Sequence, residues 1–332
     1  MPGGPGRWRR HLFLAGPAPL AAVAGLAAVN GAAAALFLPA ARGVVPQLIP
    51  ADQLQPGNAL LRLSRNSASI AGAALAGVLL AVAAPGWALA CDAVSFLISA
   101  ALLTRVGAHV TTGAGRQDGS PALLTDLREG WREFRARAWV WLPVAQFTMV
   151  NGCFAVIWVL GPVVARQDLG GAPAWAAVLT ANAVGLAGGS LLALRLRPAR
   201  PLRVACAATF GFLPPFFLLA AAAPVWLIAA AMLVNGVCVD IFEVLWDTAL
   251  QRHVPPGLLS RITSYDLLGS FALGPLGLAL AGPAAAAAGL AATLTGAGLL
   301  LAAASVVPLL SRAVRDLPAS PVPVLSAAQA DR

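Results

Sequence analysis

NGAAAALFLPAARGVVPQLIPADQL, residues 30–54, and NGVCVDIFEVLWDTALQRHVPPGLL, residues 235–259, share one frame. Asn30, Gly31, Phe37, Pro50 and Leu54 recur as Asn235, Gly236, Phe242, Pro255 and Leu259, and Ile49 recurs conservatively as Val254. Every pair is separated by the same 205 residues (235 − 30 = 255 − 50). Ungapped spacing over that distance is the trace of a duplicated block of helices, as in membrane proteins built from parallel repeats.

Working outward, composition places both copies in a bilayer. Hydrophobic residues make up 59% of the chain and charged residues 11%, against roughly 25% charged in a soluble domain. The net charge of +9 comes from 22 basic residues, all arginine; with the abundant Ala, Gly and Pro it reads as genomic base composition and gives no reason to expect nucleic acid as a partner. The arginines cluster at Arg42 to Arg65, Arg105 to Arg137, Arg195 to Arg203, Arg252 with Arg261, and Arg312 with Arg315. An even number of apolar segments separates successive clusters. Arginine bias in short loops sets orientation, so the clusters and the C-terminus are expected on the cytoplasmic side. Trp87, Trp175 and Trp226 then mark the outer interface, and Trp139 and Trp141 the inner one.

Spans of about 20 apolar residues between these anchors give an all-α membrane protein with about nine transmembrane helices. They run from Pro19 to Leu38, Asn66 to Ala84, Trp87 to Thr104, Val140 to Ala165, Trp175 to Leu194, Leu202 to Ala222, Trp226 to Ala249, Leu267 to Ala281 and Leu290 to Leu310. Subtracting 205 from the stretch 140–222 lands almost wholly before Met1, so three helices of a twelve-helix fold are expected to be missing at the N-terminus, with Met1 to Arg10 replacing the start of a span. A genuine nine-helix protein with an outside N-terminus is the alternative. The expected domains are 1–105, an incomplete bundle; 106–138, a cytoplasmic linker; 139–312, a six-helix bundle; and 313–332, a cytoplasmic tail. Within the linker, Thr111 to Gly119 reads as flexible chain, and Ser120-Pro121 as a helix start. Leu124, Leu127, Trp131 and Phe134 then form one oily face of an amphipathic helix, expected along the inner membrane surface as a tether.

The stretches Phe37-Leu38-Pro39-Ala40-Ala41-Arg42, Val45-Pro46, Ile49-Pro50, Asn58-Ala59-Leu60 and Cys91-Asp92-Ala93-Val94-Ser95-Phe96-Leu97 resemble the major facilitator superfamily. The wording is similar to its enterobactin-exporter and macrolide-efflux branch. Asn151, Gly161-Pro162-Val163, Leu169-Gly170 and Gly185 to Gly189 look like the seventh and eighth helices of that branch. The resemblance implies a major-facilitator-type bundle that moves a small molecule by alternating access. Departures accompany it. The basic loop between the family's second and third helices has no counterpart, and its echo at Arg195 to Arg203 lacks the acidic member. The antiporter glycine-proline motif reads Gly72-Ala73-Ala74-Leu75-Ala76-Gly77, whereas its repeat partner Gly274-Pro275-Leu276-Gly277 keeps the proline.

Chemistry concentrates on the span that begins at Trp226. Asp240, Glu243 and Asp247, spaced by three and four, share a helix face, and Asp240 lies roughly 21 Å along the axis from Trp226. An acid at that depth faces a cavity or a partner, and removal from water favours the protonated carboxyl. Asp240, Glu243 and Asp247 are therefore candidate proton-coupling residues; pairing of Asp247 and Glu243 with inner-surface arginines such as Arg252 or Arg261 is the plainer reading. Asp92 is a further coupling candidate, with packing near a helix start as its alternative. Asn151, Gln146 and Asn235 are cavity-lining candidates or interhelical glue. Cys91, Cys153, Cys206 and Cys238 lack metal or redox spacing and read as small core residues. No cofactor or metal is expected, and with no lysine there is no phosphate-cradling loop. The expected function is proton-coupled efflux of an amphipathic small molecule, drug- or siderophore-like, across the cytoplasmic membrane, with no enzymatic step. The alternative is a transport-inactive fragment or scaffold subunit. The expected partners are substrate, protons and lipid; oligomeric state has no sequence signal.

Overall fold

The computed structural model describes residues 20–82, 85–107 and 123–320 of the 332-residue chain. The expected truncated start at Met1 to Arg10, the flexible Thr111 to Gly119 and the helix start at Ser120-Pro121 lie outside the described residues. Everything regular among the described residues is helical: α1 (Leu20–Leu48), α2 (Leu54–Val82), α3 (Pro85–Gly107), α4 (Leu123–Ala136), α5 (Ala138–Asp168), α6 (Ala172–Arg195), α7 (Pro201–Ala208), α8 (Pro214–Ala220), α9 (Val225–His253), α10 (Pro256–Phe271), α11 (Gly274–Ala288), α12 (Leu290–Leu310) and the short α13 (Arg312–Arg315). Six stretches among them are long and apolar enough to cross a bilayer: α5, α6, α7 with α8, α9, α10 with α11, and α12.

The repeat reappears in the element bounds. α1 and α9 end 205 residues apart (253 − 48). Pro50 and Pro255, also 205 apart, precede the next helical turn in the same extended conformation, ψ 151° and 140°. Proline has no N–H to leave unsatisfied there, and its fixed φ suits a helix entry. The copies diverge where their prolines differ. Pro275 interrupts the second copy between α10 and α11, while its counterpart Ile70 (275 − 205) leaves α2 unbroken.

Several expected bounds are corrected. α2 begins at Leu54 rather than Asn66, so twelve further residues, Arg62 and Arg65 among them, are helical. The span expected from Leu202 to Ala222 is two helices joined by a 3-10 turn, because Pro214 and Pro215 break the backbone ladder. The span expected from Leu267 starts eleven residues earlier, at Pro256.

By contact density the chain divides into residues 1–48 with 68–115, and residues 49–67 with 116–332. The first unit consists of α1, the rest of α2 and α3. The second holds two buried apolar clusters, one around Leu202, Leu245, Trp246 and Ile262, the other around Ile157, Phe212, Phe216 and Ile228. Within it α6 and α9 lie so close that a Cβ at Gly185 would meet the Leu233 carbonyl oxygen at 2.1 Å, and one at Gly236 would meet the Asn182 carbonyl at 2.3 Å. Lipid offers no hydrophobic drive between helices, so this backbone-to-backbone approach through small residues is what binds them. α5 turns into α6 through Gly170 and Gly171, both at positive φ (91° and 87°), a conformation that L side chains resist.

α4 is amphipathic as read, and it docks on protein. Phe134 is buried in the first cluster, Gly130 sits against Tyr265, and Glu129 accepts from Arg261 at 2.7 Å. Trp131 stacks on Phe134 at 5.6 Å and leaves an exposed edge under Arg135. The side chains of Leu124 and Leu127 lie outside the described residues. At the end of this helix, Arg137 donates to Glu133 at 2.7 Å and holds that carboxyl below its ordinary range.

Candidate functional site

The three acids of α9 are met by the first turns of α2. Gln55, Asn58, Arg62 and Asn66 follow one another by three, four and four residues, so they share one face of a helix. That face runs antiparallel to α9 and makes a ladder of polar contacts with it. Nearest the middle of α9, Asn66 Nδ2 donates to Asp240 Oδ2 at 2.8 Å and to Ser190 Oγ of α6 at 3.2 Å. The Ser190 hydroxyl also donates to the same Asp240 oxygen. One step along, the Arg62 guanidinium donates to Glu243 Oε2 and, at 3.4 Å, to Asp247 Oδ2. Next, Asn58 and Gln251 pair their amides reciprocally at 2.8 and 3.3 Å, and Asn58 also donates to Thr248 Oγ1 at 3.0 Å. At the end, Arg252 donates to the Ala51 carbonyl at 3.1 and 3.2 Å.

α6 closes the third side. Gln55 Nε2 donates to the Ala193 and Leu196 carbonyls, and Ala59, Ala193 and Val244 pack with no exposed surface between the three helices. The close glycine packing of α6 on α9 gives Ser190, next to Gly189, its reach to Asp240. A Cβ on Gly189 would meet the Val237 carbonyl at 2.5 Å and Asp240 Cβ at 2.9 Å. Asp240 is 1% exposed and Asn58 4%, so these contacts are withdrawn from water, where each hydrogen bond is worth more and each missing partner costs more.

The acids are treated differently. The hydrogen-bond partners of Asp240 are the neutral Ser190 and Asn66; Glu243 and Asp247 share one cation. Their partner is Arg62, an arginine of the Arg42 to Arg65 cluster, in place of the Arg252 and Arg261 offered as examples of inner-surface partners. Arg252 is taken by backbone carbonyls and Arg261 by Glu129.

The structure does not gather the remaining site candidates here. Asn151 donates to the Phe147 and Ser270 carbonyls at 3.0 and 2.9 Å, joining α5 to α10. Gln146 donates to Thr209 Oγ1 at 2.7 Å, joining α5 to the turn after α7. Asn235 accepts from Asn182 at 3.0 Å within the α6–α9 contact. Asp92 lies on α3, and its side chain is outside the described residues. Cys153 and Cys206 are buried as expected of core residues, whereas Cys91 is exposed, a correction.

Arg62, Asn66, Asn58 and Ser190 escaped the sequence reading because apolar windows pass over a helix whose buried face is polar. The three-four-four spacing of Gln55, Asn58, Arg62 and Asn66 was the available signal for the α2 residues. A second omission is Asp266, 4% exposed, which accepts from Trp246 Nε1 at 3.2 Å and from Ser270 at 3.3 Å. Among the described residues no group of His, Cys, Asp or Glu is placed to hold a metal ion.

Long apolar helices with ionisable side chains buried at their contacts point to a multi-pass membrane protein with a functional site between its helices. Comparison with known proteins narrows the class. The model of the Major Facilitator Superfamily matches residues 11–277. The chain belongs to that superfamily, whose members are secondary transporters and not enzymes. Neither the curated proteins nor the solved structures gave a match.

Proposed function

We propose that this protein exports an amphipathic small molecule across the cytoplasmic membrane in exchange for protons, by alternating access, and that the α2–α9 ladder is its coupling element. The observation that carries the proposal is Arg62 held between Glu243 and Asp247. By the repeat arithmetic α2 belongs to the first copy of the duplicated block and α9 to the second, so the ladder ties one copy to the other.

Its physics supplies coupling. Separating Arg62 from two carboxylates in a site shielded from water leaves uncompensated charge, at about 3–5 kcal/mol. Protonation of Glu243 removes one of the two contacts and leaves Arg62 with Asp247, which lowers that penalty. In the proposed cycle a proton from outside is accepted first by Asp240, whose partners are neutral, and then by Glu243. The Glu243–Arg62 pair dissolves, α2 leaves α9, and the site opens to the cytoplasm. Proton release there and substrate loading restore the ladder. The arginine clusters at the α9–α10 turn and after α12 support a cytoplasmic location for this end and for the C-terminus. Resemblance to the efflux branch supports the direction and the amphipathic substrate.

The test is pH-dependent efflux from cells or proteoliposomes. Asp240→Asn with Glu243→Gln is expected to abolish proton-driven transport while substrate exchange across the membrane persists. Retention of full, pH-dependent efflux by that double variant would refute the carrier assignment.

A further inference from the structure

Away from the ladder, α5, α11 and α12 surround a cavity of about 330 Å³. Met149 and Cys153 of α5, Leu276 and Leu280 of α11, and Gly296 and Leu300 of α12 line it. Its volume is roughly twice that of the ~150 Å³ apolar cavity that takes up benzene, and within the range of ligand sites. The break between α10 and α11 shapes it. Pro275 cannot continue the backbone ladder, and beyond that break Gly277 presses against α5, where an added Cβ would meet the Gly152 carbonyl oxygen at 2.2 Å. Gly296 on the other wall faces open space, with nothing within 4 Å of an added Cβ.

Two observations name the occupant. The cavity offers no polar handle: the hydroxyl of Thr293 is committed to the Gly289 carbonyl at 2.9 Å, so water lacks the two to four partners it requires. No aromatic ring lines the wall, so a stacked planar ligand gains nothing. The cavity also sits at bilayer depth and opens sideways. Cys153 is midway along α5, between residues 138 and 168, and Leu276, Leu280 and Leu300 at the rim are 53%, 60% and 54% exposed. Hydrocarbon is the medium at that depth of a bilayer. A void there forfeits dispersion contacts that a flexible chain restores. We infer that this cavity binds an alkyl chain taken from the bilayer, the acyl tail of a membrane lipid or the tail of a lipid-dissolved amphipath. This holds whatever the coupling ion.

The full-length protein is reconstituted in phosphatidylethanolamine and phosphatidylglycerol vesicles containing a trace of a phospholipid with a diazirine in its acyl chain. After illumination, labelled peptides are mapped. Labelling is expected to concentrate at 149–156, 276–284 and 293–300. Gly296→Leu, which fills the space without a clash, is expected to lower it at least about fivefold through loss of chain contacts. Gly282→Leu is the control, since Gly282 is equally unobstructed and outside the cavity, and it leaves labelling unchanged. If Gly296→Leu does not fold, Thr293→Leu fills the same space. Competition by a single-tailed alkylammonium identifies the amphipath as the source, and labelling indifferent to it identifies the lipid; both support the site. Labelling no denser there than at the exposed Leu268 and Leu310, or unaffected by a folded filling variant, overturns it.

Discussion

Arg62 carries the largest consequence of any single side chain. Arg62→Gln takes one cation away from both Glu243 and Asp247 in a shielded site, and the expected cost is about 2–5 kcal/mol, read as a lowered midpoint in thermal unfolding of the purified protein. Neutralising all three, with Arg62→Met, Glu243→Gln and Asp247→Asn together, is expected to return most of that stability without restoring proton-driven transport. A triple variant as unstable as Arg62→Gln would assign the loss to packing. Ser190→Ala removes one of the two side-chain donors to Asp240 Oδ2, and its expected destabilisation is about 1–3 kcal/mol. These partners were only half legible. The acids stood out by their spacing on an apolar helix, but their α2 partners lie 174 to 185 residues away on a stretch that carries two arginines and three amides within a dozen residues.

At the scale of elements, the α6–α9 pair is the rigid part of the site. Gly236→Val places two methyl groups where the Asn182 carbonyl and the Leu186 amide already stand, at 2.3 and 2.7 Å from the first added carbon. Backbone cannot move aside as a side chain can, so loss of folded protein in detergent is expected, against retention with Gly257→Val, where space is open. α4 answers to pH. Its Glu133 carboxyl is held below the ordinary value of 4.5, mainly by the hydrogen bond from Arg137. A depressed folded-state pKa adds stability that is present above the unfolded value and lost as pH falls through the folded one. Hydrogen exchange in α4 is therefore expected to accelerate as pH drops below about 4.5 relative to the protein's other helices, and Glu133→Gln to remove that acceleration. Helix existence was readable from apolar content; helix length was not. α2 and α10 each begin about a dozen residues before their apolar stretch, because those turns are solvated by neighbouring helices instead of lipid.

For the whole molecule, the proposed cycle requires α2 to part from α9. In a variant with the native cysteines replaced, Ala59→Cys and Val244→Cys, which share one packed cluster between α2 and α9 and leave the charged ladder intact, joined by a short cleavable thiol-reactive cross-linker are expected to arrest efflux, and cleavage of the linker to restore it. Undiminished transport in the linked protein would exclude separation of these helices from the cycle. The repeat also has a consequence at this scale. Pro50 and Pro255 enter their helices alike, so replacing either with glycine is expected to loosen its turn by a similar amount, a few tenths to about 1 kcal/mol from the unfolded chain's added freedom.

The amino-acid sequence alone determined that the chain is helical and crosses a membrane repeatedly, because both are written in local composition; its fixed 205-residue offset is what suggests a copied block. It also singled out the α9 acids, since charge on an apolar helix is conspicuous by itself. Only the tertiary structure decided which cation and which amides those acids meet, and that a proline break beside α5 and α12 leaves a cavity. Contacts between helices depend on rotation about the axis and on close approach through glycine, and neither is encoded in any window short enough to read along one helix.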